Sequence, residues 1–165
     1  MEGAPGGGVR GATAIQAAPA HALVVGACTV KANNPHPSTH VNGTINSVGT
    51  VSCTLSMEEI YIETYLERSD GSSWPGDAED WLNTTYESSN AAVNCSAGPG
   101  TFRTRVSYAL TAPSGTNPRY TANTIYSPWI SVACGVSSAI VGPGAAAKTS
   151  APVTDVATEV VSFSR

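Results

Sequence analysis

The most regular stretch of the chain runs from residue 60 to 68, where Ile60, Ile62, Thr64 and Leu66 alternate with Tyr61, Glu63, Tyr65 and Glu67. A period of two places the sets on opposite faces of an extended strand, one toward a core and one toward water. Residues 102–110 repeat the pattern, with Phe102, Val106, Tyr108 and Leu110 inward against Arg103, Arg105 and Ser107 outward. Residues 48–55 put Val51, Cys53 and Leu55 on one face, and residues 23–30 form a short apolar run that ends where Asn33, Asn34, Pro35 and Pro37 interrupt regular pairing. Residues 70–81 read as a turn-rich acidic loop and residues 81–86 as a further short strand. Residues 124–134 read as a strand that Pro128 confines to an edge or a bulge. No helical period of useful length precedes Gly135. Short strands separated by turn signals predict an all-β fold, an antiparallel immunoglobulin-like sandwich.

The two ends of the chain are poorer in core-forming pattern, which gives three expected regions. Residues 1–22 are set apart first: residues 1–16 carry Gly and Pro where a signal peptide needs an unbroken apolar stretch, and Arg10 is their single basic residue. Ala20 and Ala22 nevertheless fit a cleavage site just before Leu23. The expectation is therefore a leader or disordered arm on a secreted, extracellular protein; the alternative is a cytosolic protein with a floppy Ala/Gly arm. Residues 23–135 are the sandwich domain. Residues 136–165, rich in Ala, Ser, Val and Pro, read as a low-complexity flexible tail, with a weak terminal strand through Val156, Val160, Val161 and Phe163 as the alternative.

Composition narrows the partners. Of the 165 residues 41% are apolar and only 12% charged, so Ser, Thr, Asn and Gly supply the surface. A net charge of -4 and a pI near 5.2 argue against nucleic acid and anionic membranes, because such a chain has few cations with which to displace condensed counterions. No run approaches the roughly 20 apolar residues of a membrane span. No motif implies a cofactor.

Cys28, Cys53, Cys95 and Cys134 allow three pairings. In an antiparallel hairpin the start of one strand faces the end of the next, which favours Cys28 with Cys53 and Cys95 with Cys134. A Cys53–Cys134 bridge between sheets is the runner-up, and the lack of any C-x-x-C spacing leaves a tetrathiolate metal site remote. Each native disulfide typically contributes about 2 to 4 kcal/mol to a domain of this size.

Two segments carry a family likeness. The run from Asn34 through Pro35, His36, Pro37, Ser38, Thr39, His40, Val41, Asn42 and Gly43 to Thr44, and the closing Ser127, Pro128, Trp129 to Cys134, resemble small secreted actinobacterial β-sandwich proteins of unknown function. Those proteins carry an N-P-H-x-S-T-H-V-x-G-T segment and an S-P-W ending in Cys. The resemblance covers about residues 28–134; it implies export and a β-fold and leaves activity open.

Among residues able to carry chemistry, His36 and His40 are four apart, the spacing at which a helix would let both ligate a metal, but Pro35 and Pro37 oppose a helix. The competing reading is that His40 or Thr39 bonds backbone groups and holds a long loop. Asp70, Asp77, Glu79 and Asp80 cluster oxygen ligands without the EF-hand order. Trp74, Asp77, Trp81, Tyr61 and Tyr65 form the expected binding set, since planar aromatics stack on sugar rings or anchor a protein partner while nearby carboxylates direct hydrogen bonds. Against it stands the plain reading that Trp81 and Trp129 fill the core. No G-x-S-x-G elbow exists, and paired cysteines leave no thiolate. The expectation is a secreted, non-enzymatic binding or surface-associated module for a glycan, cell-wall material or an extracellular protein. The alternative is an exported hydrolase or hydrolase inhibitor.

Overall fold

The computed structural model describes residues 22–134 and 156–165. These form β1 (Val24–Ala32), β2 (His36–Pro37), β3 (Thr44–Arg68), β4 (Ser73–Asn94), β5 (Gly100–Thr111), β6 (Tyr120–Tyr126), β7 (Ile130–Val132) and β8 (Ala157–Ser164), with one 3-10 turn at Cys95–Ala97. All pairings are antiparallel.

The architecture hangs on β3, which is 25 residues long. Its β-branched and aromatic alternation suits a pleated surface buried on one side. β4 follows one edge of β3 from Thr44↔Asn94 to Glu67↔Ser73. The other edge is shared: its first half pairs with β1, from Ala32↔Gly49 to Cys28↔Cys53, and its second half with β5, from Glu59↔Thr111 to Arg68↔Phe102. Between the halves the register with β4 jumps from Ser52↔Tyr86 to Met57↔Thr84. A bulge of that size bends a hairpin sharply, and here it folds one half of β3 and β4 over the other.

The two layers of the sandwich are therefore continuous. One contains β8, β1 and the first half of β3; the other contains the second half of β3, β5, and β6 and β7 at opposite ends of β5. Where the layers meet inside the fold, the Thr64 amide donates to Ser89 Oγ at 3.0 Å, the Thr64 hydroxyl donates to the Ser89 carbonyl at 3.1 Å, and Ser89 Oγ donates to the Asp77 carbonyl. Backbones pass closely at this crossing: a Cβ on Gly76 would lie 2.0 Å from the Asn90 carbonyl oxygen.

One core cluster lies between the layers and includes Val30, Val51, Met57, Ile60, Ile62, Val106, Leu110 and Phe163. A second, toward the Cys95–Cys134 bridge, is made by Ile45, Leu66, Ala91, Phe102 and Val132. Each fully buried large side chain contributes on the order of 1.5 to 3 kcal/mol through removal from water. The bridges are Cys28–Cys53 and Cys95–Cys134, which removes the Cys53–Cys134 and tetrathiolate alternatives.

Several expectations change. Residues 48–55 and 60–68 are parts of one strand. The expected loop at residues 70–81 is a short turn followed by the start of β4, which also absorbs the short strand expected at 81–86. The turn is set by Gly71 at a φ of 94° and by Asp70. Asp70 Oδ1 accepts the Ser72 amide at 2.9 Å, and this bond, more than the nearby Arg68, holds its carboxyl below the usual range. The strand expected at 124–134 breaks at Ser127 and Pro128 into β6 and β7. The tail boundary at residue 136 is corrected in its last part: β8 pairs with β1 along its whole length and Phe163 is completely buried. Asn117 and Ser164 exchange backbone hydrogen bonds of 2.8 and 2.9 Å, and the Asn123 amide reaches both Glu159 oxygens at 3.1 Å, so the two ends of the sheet order meet. The expected leader, its cleavage site and residues 136–155 of the tail lie outside the described residues, except for Ala22.

Candidate functional site

The outward set of β3 meets the outward set of β5 in register. Glu67 lies opposite Arg103, Tyr65 opposite Arg105 and Glu63 opposite Ser107, and β6 adds Tyr126 beside Arg105 and Thr124 beside Ser107. Strict alternation on both strands makes this arrangement obligatory once register is fixed, because a shift by one residue would bury the arginines.

The resulting face is a lattice of paired charges and rings. Glu67 accepts a hydrogen bond from Arg103 Nε at 2.8 Å and forms an ion pair with Arg105, whose Nε lies 2.8 Å from the other carboxylate oxygen. The Arg103 guanidinium sits between two rings, 4.2 Å from the centre of Tyr126 and 4.4 Å from that of Trp129, while Arg105 lies 3.8 Å from the centre of Tyr65. Such cation–π contacts are worth about 0.5 to 1 kcal/mol each at exposed sites, and here they also fix the planes of the rings. Glu63 accepts from both tyrosines, at 3.1 Å from Tyr61 and 2.6 Å from Tyr65. Burial, and then Glu63, raises the Tyr61 hydroxyl above its ordinary pKa; for Tyr65 the Glu63 hydrogen bond is the first cause. Both tyrosines therefore stay neutral donors across the physiological range.

Beside this lattice, at the turn between β3 and β4, lies a cleft of about 300 Å³ lined by Glu67, Arg103, Trp129, Ser69, Ser72 and Ser73. A wider, shallower recess of about 520 Å³ follows β5 and β6 past Tyr61 and Tyr120. The face thus offers ring planes for stacking, with hydroxyl and guanidinium donors beside them.

The expected binding set divides. Tyr61 and Tyr65 belong to this face. Trp74 lies opposite Leu66 on the core side of β4 and packs on Phe102 with ring centres 6.2 Å apart. Trp81 lies opposite Ile60, also on the core side, yet is 55% exposed because β4 runs past the cover of the other layer, and Asp77 is exposed on the same strand. The reading that Trp81 and Trp129 fill the core is corrected, since Trp129 is 44% exposed and lies over Arg103. Arg103, Arg105 and Tyr126 are not among the expected site residues. For the arginines the signal is present in the sequence, because two alternating strands carry Glu63 and Glu67 outward on one and Arg103 and Arg105 outward on the other.

The remaining candidates do not converge. His36 lies in β2 with Nδ1 3.1 Å from the Asn34 carbonyl, and His40 is exposed in the loop that follows. The loop is held by Ser38 and Thr44 rather than by His40 or Thr39: Ser38 Oγ accepts from the His40 and Val41 amides, and Thr44 donates to the Val41 carbonyl. Asp70 is in the turn while Asp77, Glu79 and Asp80 are spread along β4, and no group of three or more His, Cys, Asp or Glu among the described residues is placed to hold a metal ion. Also among the described residues, no helix is long and apolar enough to cross a membrane. No protein-family model, curated protein or solved structure matches the chain.

Proposed function

We propose that the protein is an extracellular, non-enzymatic binding module whose outer β3, β5 and β6 face takes up a glycan by stacking on sugar rings. The observation that carries this reading is Arg103 clamped between Tyr126 and Trp129, with Glu67 locking the guanidinium from the side. Rings held in fixed planes lose little conformational freedom when a ligand stacks on them, which is the usual route to affinity from a small contact. The adjoining serine-lined cleft suits the hydroxyl-rich edge of a saccharide. Two disulfides and no free cysteine favour an oxidising compartment, and the likeness of the Asn34–Thr44 and Ser127–Cys134 segments to secreted actinobacterial proteins supports the same location. The hydrolase alternative draws less support: Glu63 and Glu67 are engaged by tyrosine hydroxyls and guanidinium groups, and His36 faces a backbone carbonyl instead of an acid.

Titration of tryptophan fluorescence with chitin oligomers, peptidoglycan fragments and a panel of other glycans tests the reading. The expected result is a saturable shift with at least one of them, absent in Trp129→Ala and retained in Trp81→Ala. Silence across the panel, or a response that survives Trp129→Ala, removes the glycan.

A further inference from the structure

The outward residues of β6 carry the candidate face away from the arginine clamp. Register between β5 and β6 is unbroken from Arg105↔Tyr126 through Ser107↔Thr124 and Ala109↔Ala122 to Thr111↔Tyr120. Residues directly opposite each other share a face, so Tyr126 and Tyr120 stand on the same side as Arg105 and Ser107. Strand geometry sets the two tyrosines roughly 20 Å apart along β6. Both rings are open to solvent, Tyr120 at 60% and Tyr126 at 44%.

Between the rings the outward side chains are small. Ser107, Ala109, Ala122 and Thr124 floor the recess of about 520 Å³, with Tyr61 beside Ala109 and Tyr120 at the far end. The Ser107 and Thr124 hydroxyls bond each other at 3.0 Å, which keeps the floor low. No charged residue lines the recess. Two carboxylates flank it on β3, Glu59 opposite Thr111 and Glu63 opposite Ser107, and both already accept hydroxyl hydrogens, Glu59 from Thr111 and Glu63 from Tyr61 and Tyr65. An anionic ligand would meet negative charge along this side and no cation in the recess itself.

We propose that the face binds an extended, uncharged glycan chain that runs along β6 from Trp129 and Tyr126 to Tyr120. Length and charge are what this adds to the glycan reading, on which it rests. Sugars at one end stack on the rings held by Arg103, those in the middle cross the floor, and one at the other end stacks on Tyr120. A mono- or disaccharide is too short to touch both ends, whereas a chain that spans them makes its second contact intramolecularly and gains affinity without any new kind of interaction.

The probes are the dimers and hexamers of chitin, cellulose and β-mannan, titrated by calorimetry into the full chain, with the hexamer of galacturonic acid as the anionic control. The expected result, in at least one neutral series, is a hexamer bound about tenfold tighter than its own dimer, the scale of one added ring contact, with no binding of the acidic hexamer. That ratio should fall to near unity in Tyr120→Ala and in Ala122→Glu, which raises a charged side chain from an exposed position on the floor. The ratio is read first on the unaltered protein, so this arm holds even if a variant folds poorly. Equal affinity for dimer and hexamer, a length advantage that survives either variant, or an acidic hexamer bound as tightly as the neutral one overturns the extended track and leaves glycan binding at Trp129 standing. Silence of all three series also overturns the track, and the tryptophan titration with the wider panel then decides the glycan reading by itself.

Discussion

β5 and β4 both pair with the second half of β3, one on each edge, and they could hardly be more different. β5 buries every second side chain, from Phe102 through Thr104, Val106 and Tyr108 to Leu110. β4 is almost twice as long and fully buries only Ser89 and Ala91. Backbone pairing alone therefore makes a strand without making a core. What separates the two is cover: β5 lies under the opposite layer, whereas β4 meets the second core cluster at its two ends, through Trp74 and Ala91, and leaves its middle exposed.

Perturbing the two strands in turn tests this contrast. Phe102→Ala in β5 is expected to cost about 3 to 5 kcal/mol, because the ring fills the second core cluster and nothing nearby collapses into its volume; chemical denaturation would measure it, and a cost under about 1 kcal/mol would mean that β5 is no better packed than β4. Replacing Cys95 and Cys134 by alanine, which frees the turn after β4 from the segment after β7, should lower stability by about 2 to 4 kcal/mol. Ser89→Ala, where the two ends of β4 meet over β3, should cost about 1 to 3 kcal/mol by leaving the buried Thr64 amide without its Ser89 acceptor and removing the bond to the Asp77 carbonyl. Trp81→Ala in the exposed middle of β4 should change stability by less than about 0.5 kcal/mol despite the loss of a large ring, and a greater loss would show that this stretch is covered in solution.

The smallest expected effect is electrostatic. Glu87 has its folded-state pKa raised, so its protonated form favours folding: the favourable contribution is complete below its unfolded-state value and fades as pH rises through the folded one. Glu87→Gln should accordingly raise the unfolding midpoint at pH 7 and leave it unchanged near pH 3. A rise of equal size at both would assign the effect to something other than charge.

The same contrast explains how much was legible in the chain. Residues 60–68 and 102–110 announced themselves because half their side chains had to be apolar, and the cysteines could be paired because antiparallel neighbours bring Cys28 opposite Cys53. The first part of β4 reads as a loop and only residues 81–86 as a strand, because an exposed strand carries no hydrophobic alternation; its polar run Asp77 to Asp80, with Pro75 and Gly76 before it, is indistinguishable by pattern from a solvated turn. Trp81 reads equally as a ligand contact or as core, and its exposure depends on the bend in β3, which no local signal encodes; that of Trp129 depends on its place over Arg103. β8 was recognisable only as a weak alternative, since its eight residues follow a low-complexity stretch and their partner, β1, lies near the other end of the chain. The tyrosines of the candidate site were found from their outward phase, whereas Arg103 and Arg105 joined them only once the register between β3 and β5 was known.

The pairing of β8 with β1 has a consequence in time. Phe163 occupies the first core cluster and Val161 lies opposite Cys28, so the layer that β1 begins is completed by a strand synthesised after every other described strand. Contacts this distant along the chain are slow to form. Until β8 has been made, the edge of β1 that it covers has no partner among the described strands and the first core cluster lacks Phe163.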